Sequence, residues 1–588
     1  MCGIASYAGD KNVIKTIMTG LKSLEYRGYD SSGIAYMKNG KINIIKKEGP
    51  IKNLDKILDY DDEANIGISH TRWATHGGAT DINAHPHRQG KITLVHNGII
   101  ENYNELREEL IEKGYVFNTE TDTEVAAGII DDLYNEEGDM LKALNKATYV
   151  LKGSYAFNII NDDYPDTIFG IRKDSPLIVG TSNEGNILAS DIPAIIHVTN
   201  KYIILNNYDI VVLTKDNIKY YDRDLNEIHK DIKIFNGDSE EISKNGYDHY
   251  MLKEINEEGE VVKRILSLYT KDNKVGDIFN IKKYKSIDIV ACGSAAFAGY
   301  IGKYYIEKYA NIRTNVHYAS EYRYQKNFFD KDTLVILISQ SGETADTLAA
   351  MKLANEHDID TLSIVNRRDS SIARESKYVI YTPAGIEIAV ATTKAYLAQV
   401  IILILLAIKN SSMEEEGIRE LKLLPNIITK YINDFNYKEI AKLVSDKKNI
   451  FYLGRGIDYY LALEGSLKLK EISYIHSEAF PAGELKHGSI SLIDENFGVI
   501  AIVLDKSISD KTISNLKEVS SRGAEVIAIT NIDKDDFSTH KILLDNHSEF
   551  LTPLTAIIPM QLLAYNTALI KGYDIDKPRN LAKSVTVE

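Results

Sequence analysis

Two cysteines, one tryptophan and 11 prolines are all that 588 residues contain of these types. With only Cys2 and Cys292 available, no intramolecular disulfide framework and no clustered thiolate metal site can be built. A reduced, intracellular chain is expected. Basic residues are outnumbered, and the formal net charge of −15 argues against broad binding to nucleic acid or an anionic membrane. Any phosphate site must therefore be local. Long apolar runs are missing as well: the most apolar stretch, Ala395 to Ile408 between Lys394 and Lys409, is short of the ~20 residues that cross a bilayer. It reads as a buried helix. The first twenty residues lack a basic start followed by an apolar core, so no secretory signal is expected and the predicted location is cytoplasmic.

What is present is ordinary for a globular protein: 44% hydrophobic and 26% charged residues, and length for several domains. Residues 1 to about 235 alternate short β-branched runs (Ile42–Ile45, Thr93–Val95, Ala156–Ile160, Tyr202–Leu205, Ile210–Leu213) with turns and a few helical stretches such as Asn104–Lys113. That pattern predicts stacked sheets flanked by helices. The polar segment Asn236–Asp248 lacks apolar periodicity and is the best linker candidate, set at 236–249.

Beyond it, a strand–turn–helix pattern occurs twice. Ser286–Gly293, Thr333–Ile338 and Asp360–Asn366 have counterparts in Asn449–Gly454, Phe497–Val503 and Ala524–Asn531. From the glycine to the terminal asparagine the spacing is 366−293=73 in one copy and 531−454=77 in the other. Two doubly wound parallel-sheet units are predicted, at 250–425 and 426–577, with ligands at the carboxyl ends of their strands.

If the initiator methionine is removed, Cys2 carries a thiol and a free α-amino group on one residue, a nucleophile and a base together. Further candidates follow in the same domain. His70-Thr-Arg-Trp-Ala-Thr-His-Gly-Gly78 holds the single tryptophan beside an arginine and two histidines; it suits either a packed core element or a ligand pocket. Asn83-Ala-His-Pro-His87 has too few ligands for a metal and is read as a rigid turn. His96-Asn97-Gly98 places Asn-Gly at a strand end, as an oxyanion hole or a plain hairpin turn. Thr119-Glu-Thr-Asp-Thr-Glu124 opens a helix with N-cap candidates.

In the second half, Ser339-Gln-Ser-Gly-Glu-Thr344 joins a buried strand to a helix. Its hydroxyls, amides and helix N–H groups can cradle a phosphate without a cation. The second copy has Leu504-Asp-Lys-Ser507 there, so one sugar phosphate per chain is expected. Ser294, Val390 and Thr392 are further candidates around it. Glu464, Lys468 and Glu471 fall at i, i+4 and i+7 on one helix face, as a surface ion-pair ladder or a catalytic row. His487, in Glu484-Leu-Lys-His-Gly488, suits a proton-transfer loop. The tail 578–588 carries alternating apolar residues and is expected to be ordered and to deliver Lys583.

Cys2-Gly-Ile, Arg27-Gly-Tyr-Asp-Ser, the 70–77 and 83–87 segments, His96-Asn-Gly and Glu120-Thr-Asp-Thr-Glu resemble, in order, the glutaminase domain of the amino-terminal-nucleophile amidotransferases. Together with Cys292-Gly-Ser, 339–344, 464–471, 484–488 and 578–588, they are similar to the glutamine–fructose-6-phosphate aminotransferase (isomerising) family over essentially the whole chain. The resemblance implies an αββα glutaminase domain followed by two sugar-isomerase (SIS) domains, with no cofactor. It implies that Cys2 attacks glutamine, that Asn97 and Gly98 form the oxyanion hole, and that Arg72, Trp73, Thr75, His76 and Asp122 bind glutamine. Ammonia would pass through an internal channel. Fructose 6-phosphate would be held through Ser339, Gln340, Ser341 and Thr344, with His487 assisting ring opening, Lys583 forming a Schiff base, Glu471 moving the proton and Lys468 assisting. A homodimer with His487 supplied across the interface is implied.

Two departures stand out. Ala295 replaces a second hydroxyl, and Glu257-Glu-Gly-Glu-Val replaces the usual Glu-Gln-Pro. Rival readings are a glutaminase with another acceptor, such as a phosphoribosyl-diphosphate amidotransferase, and a sugar-phosphate sensor without catalysis. Retention of Cys2, Glu471 and Lys583 argues against the sensor.

Overall fold

The computed structural model describes residues 2–235, 243–534 and 536–586. Two compact units emerge: 1–242 with 582–588, and 243–581. Residues 236–242 of the expected linker lie outside the described residues, and the rest of it belongs to the second unit. The expected tail is also divided, since 582–588 groups with the first unit and 578–581 with the second.

The first unit is built on one eight-stranded and one seven-stranded sheet, both paired antiparallel throughout. Every β-branched run singled out in the sequence lies in a strand, with at most one residue overhanging. Ile4, Ile68, Val95, Ala156, Ile160 and Leu188 fill the space between the sheets. Val125, Ala126, Ile129 and Leu144 pack helices Asp122–Glu137 and Met140–Val150 onto the outer face of the seven-stranded sheet, against Leu94, Phe157 and Ile159. Helix Val13–Lys22 covers the eight-stranded sheet. These are the stacked sheets flanked by helices that the alternation predicted, in the αββα layering that the resemblance implied: each sheet buries both faces, which requires apolar residues on both sides of each central strand.

In the second unit each repeat forms a five-stranded parallel sheet, and in both the strand order is second, first, third, fourth, fifth. The three strands predicted per copy are the central ones. The sequence reading missed Arg313–Tyr318, Tyr378–Tyr381, His476–Pro481 and His540–Leu543, which take the outer positions in their sheets. Outer strands bury less and so carry weaker periodicity. Helix Lys394–Ile408 is buried along its whole length, as the apolar run predicted. Thr552–Lys571 is long and apolar enough to span a membrane by length and composition, but 89% of it is buried inside the protein. It reads as a core helix.

Candidate active sites

Cys2 precedes strand Gly3–Gly9, which pairs with Ile66–Arg72, so register alone brings its thiol to the end of that neighbouring strand. There Trp73 N–H donates to Cys2 Sγ at 3.2 Å, and the thiol lies 3.5 Å from the Trp73 carbonyl. Burial pushes the thiol up, against the opposing pull of the Trp73 N–H and the Arg72 charge. The thiol is therefore the resting form near neutrality, and attack needs an adjacent base.

Asn97 Nδ2 donates to the Cys2 carbonyl at 3.1 Å. An amide carries two N–H bonds, so one remains for an oxygen beside the thiol. The Asn-Gly pair is not at a strand end as expected: strand Ile92–Ile100 continues through it, with Asn97 opposite Ala156 and Gly98 opposite Tyr155. Gly98 has φ +137°, and a Cβ there would meet Ser154 O at 2.0 Å. The distortion is carried inside a paired strand, where no hairpin is possible. Behind it lies a residue that the sequence reading placed in a motif but gave no role. His70 Nε2 lies 2.8 Å from His96 O and 3.2 Å from Asn97 Oδ1. Burial drives the imidazole down to about 3, so it is neutral and donates to both oxygens, which fixes the Asn97 amide with its nitrogen toward Cys2. Only the stacking of the two sheets reveals this, since His70 and Asn97 stand on strands of different sheets, 27 residues apart.

Arg72 is buried, and its guanidinium donates to Gly78 O at 3.1 Å, to Gly77 O at 3.0 Å and to His76 O. It draws the 73–78 loop into place, and a ligand carboxylate must share or replace those carbonyls. Asp122, also buried, accepts Ile100 N–H at 2.8 Å and has His96 Nδ1 at 3.9 Å. Thr121 caps the helix beginning at Asp122, as its sequence predicted. Trp73 is half-buried and edge-on to Tyr29, His76 is edge-on to Tyr103, and Thr75 is exposed on the same loop. Arg27 forms a buried ion pair with Asp191, while Asp30 accepts Ala74 N–H at 2.9 Å. The Arg-Gly-Tyr-Asp turn thus supports the 72–74 segment from below, and Gly28 is required there because a Cβ would meet Trp73 N at 2.7 Å. In the 83–87 segment His85 stacks on His70 at 4.1 Å and His87 bonds Thr121, in keeping with the rigid turn expected.

In the second unit the turn after strand Thr333–Ser339 is held by its own hydroxyls. Ser339 Oγ lies 2.9 Å from Thr344 Oγ1 and accepts Gly342 N–H at 3.0 Å, and Ser341 Oγ accepts Glu343 N–H at 3.2 Å. Gly342 has φ +65°, and a Cβ would strike Ser370 Oγ at 2.0 Å. Helix Ala345–Glu356 follows, so hydroxyls and a helix N-terminus converge with Gln340 half-buried beside them. The Ser294 hydroxyl donates to Glu464 Oε1 at 3.0 Å. Thr392 donates to Glu387 Oε2, which also helps to seat the start of helix Lys394–Ile408, and Val390 N–H donates to Asp576 O at 3.0 Å.

The helical row Glu464, Lys468, Glu471 is no surface ladder, because Glu464 and Lys468 are each 1% exposed. Lys468 Nζ lies 2.7 Å from Glu471 Oε2 and 3.5 Å from Glu464 Oε1. Burial raises Glu464 to about 7. Burial also works against the Lys468 charge, yet the two carboxylates more than offset it and hold the ammonium. His487 is exposed on the turn Glu484–His487, and among the described residues no hydrogen bond or ion pair joins it to this row. Lys583 belongs to the segment that groups with the first unit. Glu258, at the family departure, opens helix Glu258–Tyr269 and is fully buried beside the Gln561 amide.

These features define a cysteine amidohydrolase fold joined to a duplicated sugar-phosphate fold. A glutamine amidotransferase domain model matches residues 70–197, and a SIS domain model matches twice, at 280–409 and 443–571. Glutamine–fructose-6-phosphate aminotransferases (isomerizing) of Clostridium tetani and Caldanaerobacter subterraneus are each 46% identical to the chain, and that of Aquifex aeolicus 44%, with all of each chain covered. A solved C-terminal domain of the enzyme from Francisella tularensis is 40% identical, with a TM-score of 0.54, covering 57% of this chain and 99% of that one. The chain belongs to the glutamine–fructose-6-phosphate aminotransferase (isomerizing) family.

Proposed function

We propose that the chain converts fructose 6-phosphate and glutamine to glucosamine 6-phosphate and glutamate. The observation that carries this reading is the presence, in one chain, of Cys2 lodged against Trp73 N–H and Asn97 together with a hydroxyl turn at 339–344 and the buried Glu464–Lys468–Glu471 row. Amide hydrolysis and amination at a sugar carbonyl each require one of these sets.

In the first half-reaction the Cys2 sulfur attacks the glutamine amide carbon, and its proton passes to the residue's own α-amino group once Met1 is removed. The tetrahedral oxygen is received by Asn97 and Gly98. Ammonia leaves with the proton, and water resolves the glutamyl thioester to glutamate. Arg72 and Asp122 supply the opposite charges that a zwitterionic amino acid needs, with Trp73, Thr75 and His76 on the covering loop.

In the second, Ser339, Gln340, Ser341 and Thr344 hold the phosphate, with Ser294, Val390 and Thr392 nearby. His487 assists ring opening, and Lys583 forms a Schiff base at the keto carbon that ammonia displaces. Glu471 moves a proton from the first carbon to the second. Lys468, charged and beside Glu471, assists the transfer. The working form is a cytoplasmic homodimer in which one protomer's His487 serves its partner, with ammonia passing internally and without nucleic-acid or membrane partners.

Incubation with amide-¹⁵N-glutamine and fructose 6-phosphate tests the reading by mass spectrometry. ¹⁵N-glucosamine 6-phosphate is expected. Glutamate without labelled amino sugar would assign a different acceptor, and no turnover would favour a sensor.

A further inference from the structure

The two SIS repeats share a strand order but not the fate of the residue that ends their fourth strand. In the first repeat Asn366 is spent on its own fold: Oδ1 accepts Ala384 N–H at 3.1 Å and Thr382 Oγ1–H at 3.2 Å, and Nδ2 donates to Gly385 O at 2.7 Å. Its counterpart Asn531 follows Glu525–Thr530 and is 5% exposed. Oδ1 is buried without a partner, and among the described residues the side chain makes no hydrogen bond. A buried amide left unmade costs the desolvation of each group, so an unused one calls for an occupant.

Asn531 lines a cavity of about 300 Å³. The cavity lies beyond the carboxyl ends of Asn449–Gly454, Gly498–Val503 and Glu525–Thr530, at the crevice where the strand order reverses and where such sheets place ligands. His547, whose Nε2 is likewise buried and unpartnered, also lines it. Its size is at the low end for ligand pockets and suits a monosaccharide.

The chemistry differs from that of the first repeat. There the turn offers hydroxyls, and the one carboxylate in it, Glu343, is directed to Ser371 N–H at 2.8 Å. Here Asp505 Oδ1 accepts both Ser507 N–H at 2.9 Å and Ser507 Oγ–H at 2.6 Å. The chain's own anion thus sits where the first repeat has its hydroxyl cradle and takes both donors of Ser507, with Lys506 the one cation lining the cavity among the described residues. Glu549 at the rim is ion-paired with Lys308 at 2.5 Å, and Tyr304 presents an aromatic ring.

We infer that the second SIS repeat holds a distinct site for an unphosphorylated amino sugar. Asn531 and His547 bond its hydroxyls, Tyr304 covers its apolar face, and Asp505 faces its ammonium group. This site does not depend on the assignment of the sugar-phosphate site in the first repeat.

The test is a titration of the full-length protein with D-glucosamine, followed by ligand-observed saturation-transfer NMR, with D-glucose and glucosamine 6-phosphate as comparison probes. Saturable glucosamine binding is expected, undisturbed by excess glucosamine 6-phosphate and weakened at least about tenfold by Asn531→Leu. Asp505→Asn keeps the acceptor for Ser507 and so tests the charge if Asn531→Leu fails to fold; it should erase the preference for glucosamine over glucose. The inference is overturned by no saturable binding up to about 50 mM, by displacement with glucosamine 6-phosphate, or by binding that a folded Asn531→Leu or Asp505→Asn variant leaves unchanged.

Discussion

Around Cys2 almost every polar group is held by main chain: Trp73 N–H on the sulfur, the Cys2 carbonyl on Asn97, three loop carbonyls on Arg72, and Ile100 N–H on Asp122. In the second unit the Glu464–Lys468–Glu471 row has no such scaffold. Its members hold one another along a single helix, and among the described residues Ser294 is the one hydroxyl that bonds to them. Antiparallel pairing can bring distant backbone amides to one point, which suits a site where an oxyanion must find fixed N–H donors. A helix consumes its own backbone groups, so a site on its face must be made from side-chain charges. The first site is held by main-chain hydrogen bonds. The second depends on charge balance and therefore on pH.

Mutation should expose that contrast. Cys2→Ala should abolish glutamine hydrolysis, by about 10³-fold or more, with little change in melting temperature, while added ammonium salt still supports amino-sugar formation. Retained glutamate release would remove Cys2 from the mechanism. Asn97→Ala should lower the glutaminase kcat by about 10²–10³-fold, and His70→Ala should lower it less, through loss of the amide's orientation; equal effects in KM alone would mean that neither group meets the oxyanion. Lys468→Met strands two carboxylates, one fully buried, and should destabilise the fold by about 3–5 kcal/mol, read by denaturant unfolding.

The pH predictions are smaller. With Glu464 raised to about 7, the row loses a negative charge as pH falls through that value, so amino-sugar synthesis should slow below it. Glu464→Gln should lack this limb of the profile. Glu258 is different again: burial, with Glu387 and Glu464 facing it, holds its carboxyl well above the usual 4.5, and only the Gln561 amide opposes this. The folded state then keeps a proton that the unfolded state releases, so Glu258 costs stability increasingly as pH rises from 4.5 toward its folded value. Glu258→Gln should raise the melting temperature, more at pH 8 than at pH 5; a gain independent of pH would contradict a buried titrating acid.

Much of both sites was legible because it is local. The duplicated strand–turn–helix pattern, the Thr121 cap, the 339–344 turn and the helical spacing of Glu464, Lys468 and Glu471 are set by neighbours a few residues away. What escaped is set by pairing across the chain. No local rule places Asn97-Gly98 inside a strand, since the partner that sustains it is Ala156-Tyr155. Arg27 finds Asp191 from 164 residues away, and Ser294 finds Glu464 from 170. The burial that takes Glu464 and Lys468 off the surface likewise comes from tertiary packing.

The most direct single measurement is to quantify glutamate and glucosamine 6-phosphate together, from glutamine and fructose 6-phosphate, in the Lys468→Met protein at a temperature where it remains folded. Glutamate release within about threefold of wild type, with amino sugar lost, is the expected result for two separately held sites. Amino-sugar formation at the wild-type rate would contradict the role of the buried row.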